Sequence, residues 1–208
     1  MDVDAFIEET CWLFGIDESH GLKHSHSTVK YAELLIKSID MAQPQRKMAL
    51  MAAAIHDMCD SKYTDVDISS KRICSWLVNT MKWSEEMADA LVAIITSMSY
   101  SKLKRYTHTY NSSVPLLPSH GIWQVSYEIA RHADLLDSYN VSRCVLYNRH
   151  LFPEKTEDEH WADADEIFTN RMFNYIKDGW IILPEAKRLA AGLELEAKRC
   201  LEQRCMDW

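Results

Sequence analysis

A histidine and an aspartate, His56 and Asp57, stand side by side at the end of the apolar stretch 49–55 (ALMAAAI). A buried helix that delivers an imidazole and a carboxylate together could supply half of a metal site. The pair alone is weak evidence, because a chain with 9 histidines in 208 residues and many aspartates contains such dipeptides by chance. It becomes informative only if other ligands converge on it.

Two further groups of candidate ligands flank this pair in the sequence. His20, His24 and His26 lie around the start of a predicted helix, and Asp134 stands within a largely apolar helical stretch (ADLLD). A carboxylate on an apolar helix is costly to bury unless it is paired or bound to a metal. The chain therefore presents a histidine, a His-Asp pair and an aspartate in that order.

This order resembles the signature of the HD-domain superfamily of metal-dependent phosphohydrolases. Three segments carry the likeness, namely 19–25 (SHGLKHS), 54–60 (AIHDMCD) and 93–102 (AIITSMSYSK). Together they place a metal-binding core at about residues 18–145. The resemblance implies an HD-domain helical bundle.

The resemblance also implies one divalent metal ion, Mn, Mg, Co, Ni or Fe, with these protein ligands: His24, His56, Asp57 and Asp134. It favours His24 as the first histidine, with His20 and His26 as alternatives. Imidazole and carboxylate ligands suit octahedral ions better than a thiolate-rich zinc site. Four protein ligands then leave two positions, for a water nucleophile and a phosphoryl oxygen.

Charged residues near these ligands are candidates for the other roles in phosphoryl transfer. Asp60 would share the face of Asp57 if the helix continues for one more turn, and we assign it to orienting or deprotonating the water. Lys62 in the following turn is a second catalytic candidate, since a lysine can contact phosphate as a point charge. Lys102 and Arg131, the latter at i−3 from Asp134, are candidates for substrate binding.

The elements that must position these residues are predicted to be helices. The chain contains only 5 Gly and 5 Pro and shows no strand alternation, so we predict one all-α domain over residues 1–208. The predicted helices cover 2–14, a second helix entered near His24, a third from Pro44 to about Cys59, a fourth capped by Asp67, a fifth after Ser84, then 122–149, 160–177 and 184–205. The last two would form a C-terminal helical cover over about 155–206.

Residues 99–119 lack an evident helical period and are predicted to form a loop. This stretch holds Lys102, Lys104, Arg105 and His108 but no acid, in a chain of net charge −8. Long loops are usually functional or disordered. The loop therefore favours a small anionic substrate, with a plain solvated flap as the alternative.

Overall charge and cysteine usage limit the partners and the compartment. A net charge of −8 disfavours nucleic acid and anionic membranes. Cysteines placed inside apolar helical stretches and an acidic N-terminus predict a reduced, cytoplasmic protein. The polar face of the C-terminal helices is a candidate homodimer surface.

The function implied by the resemblance is hydrolysis of a phosphomonoester or phosphoanhydride of a small molecule, with a nucleotide favoured as the substrate. Two alternatives remain. A non-catalytic HD module would bind a nucleotide or a partner as a sensor. An HD-type di-iron oxygenase would need more histidine ligands than the chain places before Asp134, where His108 and His120 form no well-spaced helical pair.

Overall fold

Ten α-helices and no strand make up residues 2–206, the part of the chain that the computed structural model describes. The helices are α1 (Val3–Phe14), α2 (Leu22–Ile36), α3 (Gln43–Ile55), α4 (Val66–Asn79), α5 (Glu85–Ser97), α6 (Tyr100–Thr109), α7 (Gln124–Asp137), α8 (Val141–Leu151), α9 (Glu157–Asn170) and α10 (Pro184–Gln203). Short 3₁₀ segments lie at Glu18–His20, His56–Cys59, Gly121–Trp123 and Met172–Asn174. The all-α prediction is confirmed. None of the helices between residues 2 and 206 combines the length and apolar character needed to cross a membrane.

Helices α2, α3 and α7 pack against one another at the centre of the molecule. Small side chains line their contacts, because the following residues are all fully buried: Ala32 of α2, Ala49, Ala52 and Ala53 of α3, and Ala130 and Ala133 of α7. The distance between two packed helices depends on the side chains at their contact. The alanines therefore let these three helices approach closely, and all the predicted metal ligands lie on them or directly after them.

The third predicted helix ends earlier than expected. The α-helix stops at Ile55, and His56–Cys59 forms a 3₁₀ turn instead. Two hydroxyls of α2 donate hydrogen bonds to carbonyls in the last turn of α3. Ser25 Oγ donates to Ala54 O at 2.6 Å, and Thr28 Oγ1 donates to Ala53 O at 2.9 Å. These carbonyls have no partner within the helix. Side chains from a neighbouring helix thus help to fix where α3 ends.

The single helix predicted for 122–149 is two helices. α7 ends at Asp137, and α8 begins after Asn140, whose side chain accepts a hydrogen bond from the Arg143 backbone N–H at 3.0 Å. Asparagine is a favoured residue for capping the first turn of a helix. The break turns α8 back toward α2, so that Arg143 lies beside His24.

The predicted loop 99–119 was wrong over its first half, which forms α6. This helix buries Tyr100, Leu103 and Thr107, a spacing of i, i+3 and i+7. Its period is hard to see in the sequence because one of the three inward residues is polar. The irregular part begins only after Thr109.

Other helix boundaries vary in how well the sequence predicted them. As predicted, α1 ends at Phe14, where Gly15 adopts the left-handed conformation, and α5 begins directly after Ser84. The cap of α4 is Asp65 and not Asp67. In the C-terminal cover, α10 does open at Pro184, whereas the helix predicted for 160–177 lies at Glu157–Asn170, where Thr156 and Glu159 form a capping box.

Candidate metal centre

Four side chains of the predicted set come together where the start of α2 lies next to the ends of α3 and α7. His24 Nε2 lies 3.1 Å from His56 Nε2, 3.2 Å from Asp57 Oδ2 and 3.7 Å from Asp134 Oδ1. His56 Nε2 lies 3.4 Å from Asp57 Oδ2 and 3.5 Å from Asp134 Oδ1. The ligand atoms of His24, His56 and Asp134 all fall within 4.8 Å of one another, so this group could hold a metal ion.

Each side chain of the cluster is delivered by the end of an element. His24 lies in the first turn of α2, the His56–Asp57 pair opens the 3₁₀ turn after α3, and Asp134 lies in the last turn of α7. His24, His56 and Asp57 are buried. Because three separate elements contribute, the cluster exists only when the central helices are packed.

Both histidine rings are oriented by hydrogen bonds from their other nitrogen. His24 Nδ1 donates to Asp137 Oδ2 at 2.6 Å, and His56 Nδ1 donates to the Ala53 carbonyl at 3.0 Å. Asp137 is itself buried and accepts a second hydrogen bond from Ser27 Oγ. A donating Nδ1–H leaves the Nε2 lone pair available, as metal-binding histidines require. Both lone pairs therefore face the centre of the cluster.

The electrostatics of the cluster favour a positive charge at its centre. Burial disfavours the imidazolium of His56, but the Asp57 and Asp134 carboxylates outweigh this and raise the pKa of His56 to about 9. Burial likewise opposes ionisation of Asp57, yet His56, His20 and His24 hold the pKa of Asp57 well below its usual value. The pKa of Asp134 is lowered in the same way, chiefly by His56 against the effect of burial.

These residues fit a divalent cation. Asp57 Oδ2 is buried and has no hydrogen-bond partner, although unpaired buried polar atoms are rare and costly. It faces two Nε2 atoms that lie only 3.1 Å apart. Two lone pairs and an unpaired carboxylate oxygen repel one another unless a proton or a cation lies between them. The donor set, two imidazole nitrogens and carboxylate oxygens, is one that divalent cations bind.

The two alternative histidines lie outside the cluster. His26 is on the exposed side of α2, where its Nε2 is 3.0 Å from Asp4 Oδ1. His20 is buried next to the cluster, but its Nδ1 is within 3.0 Å of the Tyr63 hydroxyl and its Nε2 accepts from Lys62 Nζ at 3.2 Å. Of the three neighbouring histidines, His24 is thus the one that the fold brings to His56.

A cavity of about 290 Å³ opens beside the cluster, and His56, Asp57 and Asp134 form part of its wall. Asp60, Lys62 and Lys102 also line it. Asp60 does not follow Asp57 on a continued α-helix, because it is the extended residue that ends the 3₁₀ turn. Its carboxylate still reaches the cavity and lies 3.4 Å from Lys62 Nζ.

Arg131 is the predicted site residue that the fold directs elsewhere. It is only 1% exposed and does not line the cavity. Its guanidinium donates to the Trp180 carbonyl and to Glu128, both at 2.8 Å. The prediction used helical spacing from Asp134, but that spacing does not specify which neighbour the long side chain contacts. Arg131 joins α7 to the segment that precedes α10.

Arg143, Arg171 and Asp137 lie near the cluster and were not predicted as site residues from the sequence. Arg105, Arg143 and Arg171 line the cavity. Arg143 Nη1 lies 2.8 Å from His24 Nε2 and 3.4 Å from Asp137 Oδ2. Asp137 carried a usable signal, since it follows Asp134 by three residues on one helix. Arg143 carried none without the break between α7 and α8.

The histidines considered for a second metal lie away from the first. His108 is exposed on the outer side of α6, and His120 Nε2 is 3.0 Å from Ser97 Oγ. Between residues 2 and 206, the group formed by His24, His56 and Asp134 is where metal-binding side chains converge, and neither His108 nor His120 belongs to it.

Comparison of the chain with protein-family models, with curated proteins and with solved structures finds no match.

Proposed function

We propose that this chain is an HD-type, metal-dependent phosphohydrolase that cleaves a phosphomonoester or phosphoanhydride of a small molecule, with a nucleotide as the favoured substrate. One observation carries the proposal. The predicted ligands His24, His56, Asp57 and Asp134 lie together with an unpartnered Asp57 Oδ2, and the last three form part of the wall of a cavity that is also lined by cations.

The cations around the cavity favour an anionic substrate. Five basic side chains line it: Lys62, Lys102, Arg105, Arg143 and Arg171. Lys62 pairs with Asp60 and Arg143 with Asp137, but across residues 2–206 no carboxylate lies within ion-pair distance of the other three. Unpaired cations around a cavity, in a chain of net charge −8, are suited to binding phosphate oxygens.

The start of α6 adds to this positive field. Ser99, Tyr100 and Ser101 line the cavity, and the Ser99 side chain makes no capping hydrogen bond. The first turn of α6 contains no acid. A helix N-terminus carries a partial positive charge and free N–H groups, so it favours an anion.

A divalent ion bound by the four ligands would polarise a phosphoryl oxygen and activate a water molecule. Asp60, with its carboxylate in the cavity and fixed by Lys62, is placed to orient that water or accept its proton. Arg143 Nη1 lies 2.8 Å from His24 Nε2, and a cationic guanidinium cannot stay at that distance from a nitrogen that binds a metal cation. Arg143 must therefore turn away when the cation binds, which frees its donors for phosphate oxygens.

The test is a metal analysis combined with a phosphate-release screen over nucleotides and sugar phosphates with Mn, Co and Mg. The wild-type chain is expected to bind about one metal ion and to release phosphate, because the proposed ligands lie around one point. The double variant His56→Ala, Asp57→Ala is expected to do neither.

The matched control is His26→Ala, which removes an exposed histidine from the same helix as His24. It should keep the metal and the activity of the wild type. A double variant that releases phosphate as fast as the wild type would overturn the proposal, and so would a metal-loaded wild type that is inactive on every substrate of the screen.

A further inference from the structure

An open groove of about 590 Å³ lies on the outer side of α6, next to the cavity of the metal centre. Lys104, His108 and Thr109 line the groove only, whereas Tyr100, Ser101 and Arg105 line both spaces. Arg105 is exposed and stands at the border between them. A ligand that fills the cavity can therefore continue past Arg105 onto the outer face of α6.

The spacing of the basic residues on α6 follows this path. Lys102 and Arg105 are three residues apart and line the cavity, while Arg105 and His108 are three apart and line the groove. From Lys102 to His108 the helix rises about 9 Å. The track carries the charges of Lys102, Lys104 and Arg105 and extends to the His108 imidazole, so it is longer than one phosphate group and matches a short chain of linked phosphates.

The basic groups of the groove have no acidic partners of their own. Over residues 2–206, no carboxylate lies within ion-pair distance of Lys104, Arg105 or His108. The nearest charge-related contact of Lys104 Nζ is the Tyr100 ring, whose centre is 5.7 Å away. The chain has 31 acidic and 23 basic residues, so a cationic track free of acids is not what its average composition would produce.

We propose that the groove on α6 is a second anionic subsite, which holds the distal phosphates of a substrate with at least two linked phosphates. The inference rests on the proposed function, because the cavity then holds the phosphate that reacts. It narrows the substrate from any phosphate ester to a polyphosphate compound, such as a nucleoside di- or triphosphate. A longer polyanion such as nucleic acid would also be exposed to the negative field of the rest of the molecule, which repels it.

The test compares Lys104→Glu with the matched control Lys71→Glu. Both lysines are exposed on helices, both changes alter the net charge equally, and Lys71 lines neither the cavity nor the groove. Binding of inorganic phosphate and of tripolyphosphate to the metal-free, full-length chain is measured by titration calorimetry at low ionic strength. Circular dichroism establishes that both variants are folded.

The expected result is that wild type binds tripolyphosphate at least about tenfold more tightly than phosphate, since more charged contacts form. Lys104→Glu should weaken tripolyphosphate binding by about fivefold more than Lys71→Glu does, and leave phosphate binding unchanged relative to that control. Equal effects of the two variants on tripolyphosphate would overturn the subsite. So would equal affinity of the wild type for phosphate and tripolyphosphate.

Two further comparisons identify the compound that carries the linked phosphates and separate the subsite from the proposed function. If a nucleoside triphosphate binds more tightly than tripolyphosphate, and Lys104→Glu still weakens its binding, the linked phosphates at the subsite belong to a nucleotide. If the two compounds bind with equal affinity, the subsite recognises the phosphates alone. Because binding is measured without metal and without turnover, the subsite can stand even if no phosphate is ever released. Conversely, if the chain hydrolyses phosphomonoesters and Lys104→Glu has no effect of its own, the subsite is wrong and the proposed function stands.

Discussion

At the scale of single residues, the centre depends on side chains that orient the ligands as much as on the ligands. Asp137 receives the Nδ1–H of His24 at 2.6 Å, and the Ala53 carbonyl receives that of His56 at 3.0 Å. Such partners fix the tautomer and direction of a metal-binding imidazole. We therefore propose that Asp137 positions the His24 ring, and the burial of its carboxylate is offset by His24, Arg143 and Ser27.

The first prediction concerns Asp137. Asp137→Asn should lower the affinity for metal by about 10- to 100-fold without abolishing binding, because the ligands remain while one ring loses its charged partner. Metal titration monitored by calorimetry measures the change. Asp165→Asn, on the exposed face of α9, is the control and should bind as the wild type does. An Asp137→Asn variant with unaltered affinity would show that the contact does not position His24.

A second residue-scale prediction concerns His132, which is fully buried on α7. Burial and the Arg131 charge lower the pKa of His132 to about 3, although its Nδ1 donates to the Glu128 carbonyl and lies 3.5 Å from the Glu128 carboxylate. Its Nε2 accepts from the Ile182 backbone N–H at 3.0 Å and faces that of Leu183 at 3.4 Å, so the neutral ring links α7 to the start of α10.

A histidine whose folded pKa lies below its unfolded pKa of about 6.5 stabilises the fold fully above pH 6.5 and progressively less as the pH falls toward 3. Between pH 6.5 and 4, the unfolding free energy of the wild type should fall as the pH falls. For His132→Gln, we expect the slope of this fall to be smaller by up to about 1.4 kcal/mol per pH unit. Urea unfolding at several pH values measures this. Parallel pH profiles for variant and wild type would contradict the assignment of a neutral buried ring.

At the scale of elements, the site is assembled from helix ends. α3 ends one residue before His56, α7 ends three residues after Asp134, and α8 begins four residues after Asp137. Ends of helices expose unpaired backbone groups, and the neighbouring side chains that satisfy them determine where each helix stops. Here Ser25 and Thr28 act at the end of α3, and Asn140 acts at the start of α8.

The prediction at this scale concerns the break between α7 and α8. Asn140→Ala removes the cap that accepts the Arg143 N–H, and should lower the unfolding free energy by about 1 kcal/mol. Asn140→Asp keeps an acceptor and should retain most of that stability. Chemical denaturation of both variants measures the difference. Equal losses for the two variants would mean that the cap does not stabilise the break.

The features that could be predicted from the sequence are those that depend on local patterns of residues. Helical periods predicted the all-α class, and the boundaries at Phe14, Ser84 and Pro184 were predicted as well. The period of α6 was missed because one of its inward residues, Thr107, is polar. A continuous period also hid the break at Asn140, because apolar spacing continues across it while the backbone does not.

For the site, the order of the ligands could be predicted, but not the side chains that arrive from distant elements. His24, His56, Asp57 and Asp134 were named from order and resemblance, and the fold brings them together. Arg143 joins them only because α8 folds back. Arg131 shows the converse, since its spacing from Asp134 was suitable while its long side chain contacts Trp180 and Glu128 instead.

At the scale of the whole molecule, the C-terminal cover is part of the site and not only packing. Ile167, Arg171 and Met172, all at or after α9, line the cavity. Arg131 and His132 tie α7 to the segment that leads into α10. The arrangement places unpaired cations around one cavity of a chain whose net charge is −8. Under the proposed function, these local positive charges would attract the anionic substrate, although the net charge of the molecule repels it.

Because the ligands come from three elements, metal binding should stabilise the entire fold. At a free metal concentration of about 100 times Kd, the folded state gains about 2.7 kcal/mol, which for a chain of this size raises Tm by about 5–10 °C. Thermal unfolding with and without Mn²⁺ measures the shift. His26→Ala should show the same rise and His24→Ala none. An equal rise in His24→Ala would mean that the ion binds elsewhere.

The central claim is tested most directly by locating the ion. Crystals of the full chain grown with Mn²⁺ should give one anomalous difference peak within bonding distance of His24 Nε2, His56 Nε2 and a carboxylate oxygen of both Asp57 and Asp134, with Arg143 turned away from His24. Absence of a peak at this position in crystals that hold ordered Mn²⁺ at another site would contradict the metal centre, and with it the phosphohydrolase proposed here.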